Sequence, residues 1–239
     1  MDLIKKAIFD YIGILHTLKK SGYWGYMAII ACIASILGII ALFTAYKTGA
    51  FIADYFTDLY PFSFGKKAAD TFLHLVPFTY IFAVMLVKYV IFIAVFPLLD
   101  KLSRKLENNM FPSGSASLKY THLQHFKHVL SITGRAFYKE ILWTVLFSVV
   151  GIIVPVAGLI GFFITQSYYI GSCYTQLVLT RKMPMEKLLP WTKENRGLAL
   201  GNGAVYLTIL LIPFLGLLLA SALAVFAATK SVIETQQNS

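Results

Sequence analysis

Hydrophobic positions fall in long blocks along the chain, separated by short polar or amphipathic stretches. The blocks are Tyr23–Tyr46, Thr71–Leu99, Ile141–Thr180 and Ala204–Ala228. Each exceeds the roughly 18 apolar residues that mark a membrane-span candidate, and none alternates as a β-barrel strand would. The pattern predicts an all-α integral membrane protein, with residues 1–239 forming one membrane domain. Residues 2–20 place Leu3, Ile4, Ala7, Ile8, Tyr11, Ile12, Leu15 and Leu18 on one helical stripe, with Lys5, Lys6, Asp10, Lys19 and Lys20 largely off it. Such a stripe predicts an interfacial helix over 1–22. Tyr23–Tyr46 spans about 36 Å as a helix, enough to cross the roughly 30 Å hydrocarbon core, and Tyr23, Trp24 and Tyr26 suit its boundary.

The second apolar block, 71–99, runs into Pro97 and then into Asp100, Lys101, Arg104, Lys105 and Glu107. Pro97 is expected to end the second span and turn the helix. Beyond it, Leu98, Leu99, Leu102 and Leu106 share one side, which predicts a helix lying in the membrane surface. Residues 100–140 as a whole read as an amphipathic cytoplasmic segment.

The last hundred residues contain a weak internal repeat. Ile153–Leu159 reads IVPVAGL and Leu211–Leu217 reads LIPFLGL. Proline removes a helix bond and glycine favours a turn, so Pro155 and Pro213 are expected to fold each apolar block into two helices joined at depth. Ile141 to Val154 covers only about 21 Å, too short for a comfortable crossing. Two re-entrant hairpins, 141–180 and 204–229, are therefore predicted, with an amphipathic segment at 181–203 between them. Charge counting agrees. Lys and Arg number 4 in residues 1–22, 3 in 47–70, 7 in 100–140 and 5 in 181–202. The positive-inside rule places the N-terminus and the two later segments on the cytoplasmic side, which requires both later blocks to return to the side they enter from.

Composition sharpens this picture. Of 239 residues, 58% are hydrophobic and only 13% charged, against about 25% charged in an ordinary soluble domain. The net charge of +10 suits basic flanks near anionic headgroups, and no soluble basic domain is present to bind nucleic acid. Cys32 and Cys173 lie in apolar blocks and read as small hydrophobes. No cleavable signal peptide is evident, because the first apolar block follows 22 amphipathic residues.

Several short stretches, in order, carry a resemblance. Phe96-Pro97-Leu98-Leu99-Asp100-Lys101-Leu102 with Arg104, Lys105 and Glu107 resembles a segment of the CysZ-type sulfate permeases, which share a domain with the etoposide-induced endoplasmic-reticulum proteins. Arg135-Ala136-Phe137-Tyr138-Lys139-Glu140 is similar to the family's helix before its first broken hydrophobic pair. Ser167-Tyr168-Tyr169, Arg196 with Gly201-Asn202-Gly203, Ile212-Pro213-Phe214 and Ala227-Ala228-Thr229 match further pieces. The resemblance implies two long transmembrane helices, two hemi-penetrating helix pairs and assembly as a homo-oligomer. It also implies an anion site at Gly22, where the family carries Gly-Leu/Ile-Arg-Arg. This chain reads Gly22-Tyr23-Trp24-Gly25, so the glycine is kept and both guanidinium groups are absent.

Candidate sites follow from chemistry. Broken helices with their ends at depth point to a transport site, because half-helix termini carry partial charge. Gly158 and Gly216, beside Pro155 and Pro213, are candidates on that ground; the alternative is that they only turn the hairpins. Arg135 and Arg196 occupy related places before the two broken blocks and are expected to meet near Lys139, Glu140 and Glu194; the alternative is headgroup anchoring. Lys88 either pairs with Asp100 or Glu140 or snorkels. His122, His125 and His128 put the outer pair roughly 120° apart on a helix; with no nearby Cys and no HExxH motif they read as an interfacial face, and no metal site is expected. No nucleotide, Rossmann or nucleophile-elbow motif is present, so neither an enzyme nor a cofactor is expected. The sequence favours a permease for a small inorganic anion, sulfate or a relative, with no ATPase of its own, in a bacterial inner membrane with a cytoplasmic N-terminus. The second reading is a non-transporting membrane scaffold that acts through partners.

Overall fold

The computed structural model describes residues 2–18, 23–59, 76–110, 122–212 and 215–237. They form eight helices: α1 (Asp2–Leu18), α2 (Trp24–Leu59), α3 (Val76–Met110), α4 (His122–Ile153), α5 (Pro155–Leu179), α6 (Met185–Glu194), α7 (Arg196–Leu210) and α8 (Leu215–Gln237). No strand occurs among the described residues, as the undivided apolar blocks predict. Thr71–Leu75, Gly22 and Pro213 lie outside the described residues.

The core is built around α8 and the second half of α5. Every residue from Ser221 to Thr229 is buried, including Ala222, Ala224, Ala227 and Ala228. Residues 170–181 are likewise buried without interruption. A helix that is apolar all round is enclosed by other helices, and small side chains let them approach closely. Around α8 pack α1, α2, α3, α5 and α7, while α5 also packs along α4 and α7.

The first broken block folds as a helical hairpin. Val154 leaves the helix at φ −132°, ψ 89°, and Pro155 opens α5 at its first turn, where its missing N–H costs nothing. One turn later Gly158 meets the returning chain. A Cβ there would lie 2.3 Å from Gly151 Cα. In the second block Gly216 follows Pro213 by the same three positions in sequence, and a Cβ there would lie 2.5 Å from the Ile209 carbonyl oxygen. The sequence repeat therefore has a packing basis: the glycine after each proline lets the second helix start against the backbone of the first.

Two expectations change. Pro97 lies inside α3 and does not end that helix, which continues to Met110. The proline is exposed, and the helix is held on both sides of it by buried Val95, Phe96, Leu99 and Leu102, so burial outweighs one lost hydrogen bond. Leu99, Leu102 and Leu106 do not lie in a membrane surface. They are buried at 0–1% exposure in the protein core, and Leu98 packs against that core. Part of the α1 stripe also meets protein, while its Ile8 is exposed. Ala7 and Tyr11 are buried, and α1 packs on α7 and α8. The amphipathic residues 122–140 and the apolar residues 141–153 form one continuous helix, α4.

Among the described residues, Pro155–Leu179 is the one helix long and apolar enough to cross a membrane by length and composition, and half of its most apolar stretch is buried in the protein. A shorter apolar stretch runs from Gly25 to Ile40 in α2. Large apolar side chains are exposed around the α4–α5 turn, among them Val149, Ile153, Val156, Leu159 and Ile160. Ile36, Ile39, Ile40 and Phe43 are exposed on α2. Patches this extensive need an apolar environment or a partner to cover them.

Among the described glycines, the tightest approach to another helix joins α5 to α7. A Cβ at Gly171 would lie 1.9 Å from the Ala199 carbonyl oxygen, and one at Gly203 would lie 1.7 Å from that of Ser167. Alanine normally favours a helix over glycine by about 1 kcal/mol. Gly203→Ala should nonetheless lower the melting temperature sharply, because the clash is with backbone that has nowhere to move. Gly134→Ala, where nothing lies within 4 Å, should leave it unchanged or raise it. Thermal unfolding of the two variants in one detergent would refute the packing account if they behaved alike.

Candidate functional site

Two buried polar clusters and two cavities organise the polar chemistry. The first cluster lies where α3, α4 and α5 meet. Lys88, 4% exposed, places Nζ 2.5 Å from Oε1 of Glu140, which is fully buried. Lys88 also donates to Gln166 Oε1, and the Tyr89 hydroxyl donates to Glu140 Oε2. Gln166 in turn donates to Thr144 Oγ1 at 3.5 Å. Lys88 therefore does not snorkel. Its partner is Glu140, one of the two carboxylates the sequence offers. The cluster satisfies an ion pair that would otherwise cost several kcal/mol per ion in a low-dielectric interior.

The second cluster fastens the end of α5 to α3. Arg181, 2% exposed, reaches Asp100 Oδ1 at 3.0 Å, Ser103 Oγ at 2.7 Å and Glu107 Oε2 at 3.3 Å. Lys182 pairs with Glu107 at 2.6 Å, and Arg104 pairs with Asp100 at 2.9 Å. Ser103 and Thr229 hydroxyls lie 2.7 Å apart, which extends the cluster to α8. His125 of α4 bonds to Thr180 Oγ1 through Nε2 at 2.7 Å, and its Nδ1 is 3.8 Å from Asp100. Burial pulls the His125 ring below the ordinary histidine range; Asp100 opposes this, while Arg181 and Arg104 reinforce it. Burial likewise pulls the Arg181 guanidinium down, against the pull of Asp100 and Glu107. Asp100, Ser103 and Glu107 stand at i, i+3 and i+7, so the acidic part of the family-like segment forms a receptor for one arginine. Arg181 carries no sequence signal as a core residue except its place directly after an apolar block.

The first cavity, about 140 Å³, opens between α4, α5 and α6. Ile132, Arg135, Ala136 and Lys139 line it from one face of α4; Tyr168, Tyr169, Ser172 and Gln176 line it from α5; Lys193 reaches it from the end of α6. No carboxylate lines it, and none of the three cations makes an ion pair among the described residues. Three ammonium or guanidinium groups around phenol, hydroxyl and amide groups form a setting for a small oxyanion. The volume is about ten times what one water needs.

Arg196 faces a separate cavity with Glu194, so the two repeat-related arginines do not share one. Glu140, next to Lys139 in sequence, turns away from the cations into the Lys88 cluster. Gly158 and Gly216 abut backbone at the hairpin turns and line neither cavity. Gly22 lies outside the described residues. Lys193 completes the cationic set and was not distinguishable in the sequence from other surface lysines.

The Lys88–Glu140 pair gives a direct test of the first cluster. Glu140→Leu or Lys88→Met alone should each cost about 3–5 kcal/mol, since each leaves one buried charge without its counter-ion. The double variant Lys88→Met/Glu140→Leu should recover most of that loss. A thermal or denaturant double-mutant cycle measures it, and additive losses would contradict a buried pair.

A protein-family model described as Sulfate transporter CysZ/Etoposide-induced protein 2.4 matches residues 11–221. No curated protein matches the chain. The match takes in the Asp100–Glu107 segment, both lysine-bearing helices that line the first cavity and both glycine-containing hairpin turns. The chain belongs to the sulfate transporter CysZ/etoposide-induced protein family.

Proposed function

We propose that this protein is a membrane permease for a small inorganic anion, sulfate or a related oxyanion, with no ATPase of its own. The observation that carries the reading is the cavity lined by Arg135, Lys139 and Lys193 and, among the described residues, by no carboxylate. Family membership supports the same substrate class. An oxyanion entering the cavity exchanges water for charge-assisted hydrogen bonds. The planar Arg135 fork can take two of its oxygens while the lysines act as mobile point charges. The cavity cations supply the positive charge that Tyr23 and Trp24 do not supply after Gly22.

In this reading the hairpin of α4 and α5 dips into the bilayer and returns. The exposed apolar residues around the Val154 turn meet lipid, and the basic ends of α4 and α6 stay at the cytoplasmic face. The N-terminus is cytoplasmic, the membrane is a bacterial inner membrane and the working form is a homo-oligomer. The protein supplies a binding path and catalyses no reaction. Exposed Leu142, Trp143, Leu146 and Val149 on α4 support the membrane placement, because an isolated soluble chain would not leave them unpaired. Net movement follows the anion gradient or a coupled ion.

Radiolabelled sulfate uptake into proteoliposomes tests this. Arg135→Ala should reduce uptake by about tenfold or more, and Lys139→Ala and Lys193→Ala by smaller factors, in keeping with one charge-assisted contact each. Uptake by the unmodified protein should fall as ionic strength rises, because partly exposed charges are screened. Folded protein that gives no uptake above empty liposomes would reject sulfate permeation and favour the scaffold reading.

A further inference from the structure

We propose that the second cavity, between α1, α5 and α7, holds the headgroup and upper acyl carbons of a zwitterionic aminophospholipid. This cavity is about 490 Å³, larger than the cationic one, and its lining has a different character. Leu3, Ile4, Ile164 and Leu200 form apolar walls, while Arg196, Glu194 and Tyr168 supply the polar groups. Both charged side chains are exposed at the surface, and neither makes an ion pair among the described residues.

One cation and one carboxylate at a common rim are poorly suited to a free inorganic dianion, which the carboxylate repels. They suit a ligand that carries both charges. A phosphodiester accepts hydrogen bonds from the Arg196 guanidinium, and a primary ammonium on the same headgroup donates to the Glu194 carboxylate. The walls account for the rest of the molecule. Ile164 is 49% exposed and lies at the end of an outward-facing apolar run on α5 that includes Val156, Leu159, Ile160 and Phe163. An acyl chain leaving the cavity past Ile164 stays on apolar protein surface. The headgroup then sits against Gly197, where α1 crosses α7 so closely that a Cβ would lie 2.9 Å from Leu3 Cβ. A bound lipid would therefore bridge α1 to the α5–α7 pair, and Tyr168, which lines both cavities, would touch it on one side and the anion site on the other.

The charge pattern makes the preference specific. A choline headgroup presents a quaternary ammonium with no N–H to donate, and a glycerol headgroup presents no cation at all. The purified full-length protein, stripped of lipid in detergent, is titrated with phosphatidylethanolamine, phosphatidylcholine or phosphatidylglycerol of one acyl composition, and retained lipid is counted by native mass spectrometry. Phosphatidylethanolamine should bind about five- to tenfold more tightly than either of the others. Glu194→Gln should bring it down to the level of phosphatidylcholine, and Arg196→Ala should weaken both by about tenfold. Both side chains are exposed, and circular dichroism checks that the variants fold. Ile164→Trp, which narrows the apolar wall without touching either charge, should reduce retention of every lipid. Equal binding of the three lipids, preference for phosphatidylglycerol, or an ethanolamine preference that survives Glu194→Gln would each overturn the assignment.

Discussion

The buried guanidinium of Arg181 fixes how the helices of this protein stand against one another. Helices that share an apolar environment gain little from burying apolar surface against each other. Their positions depend on close packing and on polar contacts that cannot be satisfied elsewhere. Arg181 lies in the turn just after α5 and binds Asp100, Ser103 and Glu107 along one face of α3. Ser103 carries the link to Thr229 on α8, and His125 with Thr180 carries it to α4. One charged side chain therefore sets the register of α3, α4, α5 and α8 at one end of the molecule. Removing it would leave Asp100 with Arg104 and Glu107 with Lys182, but would take away the buried cation that bridges the two carboxylates.

That constraint positions the sites described above. With the end of α5 held, its Gly171 meets α7 backbone to backbone, and its Tyr168, Tyr169, Ser172 and Gln176 face α4 across the cationic cavity. Arg135 and Lys139 lie one helical turn apart on the same face of α4, while Glu140 points into the Lys88 cluster. The separation matters chemically. A carboxylate among the cavity cations would neutralise part of the field an anion feels; locked against Lys88, it contributes little there.

Much of this was legible in the sequence, for identifiable reasons. Pro155 and Gly158 declare a turn because proline cannot continue a helix without loss and because the same spacing recurs at Pro213 and Gly216. Glu140 was one of two named partners for Lys88 because an ammonium in an apolar block needs a carboxylate within reach. Other features were misleading. Pro97 and the start of the charges at Asp100 looked like the end of a helix. Polarity reports the surroundings of a helix and not its backbone, so α3 passes through both. The leucines after Pro97 gave the right stripe and the wrong partner, since amphipathicity does not distinguish a lipid surface from a protein core. In the sequence Arg181 reads as one of the flanking cations, and its three partners lie more than seventy residues away in the chain. Arg135 and Arg196 looked equivalent by repeat position, yet they differ in whether a carboxylate lines the same cavity.

The central claim is that Arg135, Lys139 and Lys193 between α4, α5 and α6, none of them in an ion pair among the described residues, make an oxyanion site. Calorimetric titration of sulfate into the purified protein at low ionic strength tests it without requiring transport. The account predicts saturable binding that weakens with added chloride salt and disappears in the variant carrying Arg135→Ala, Lys139→Ala and Lys193→Ala together. Undiminished sulfate binding by that folded triple variant would contradict it.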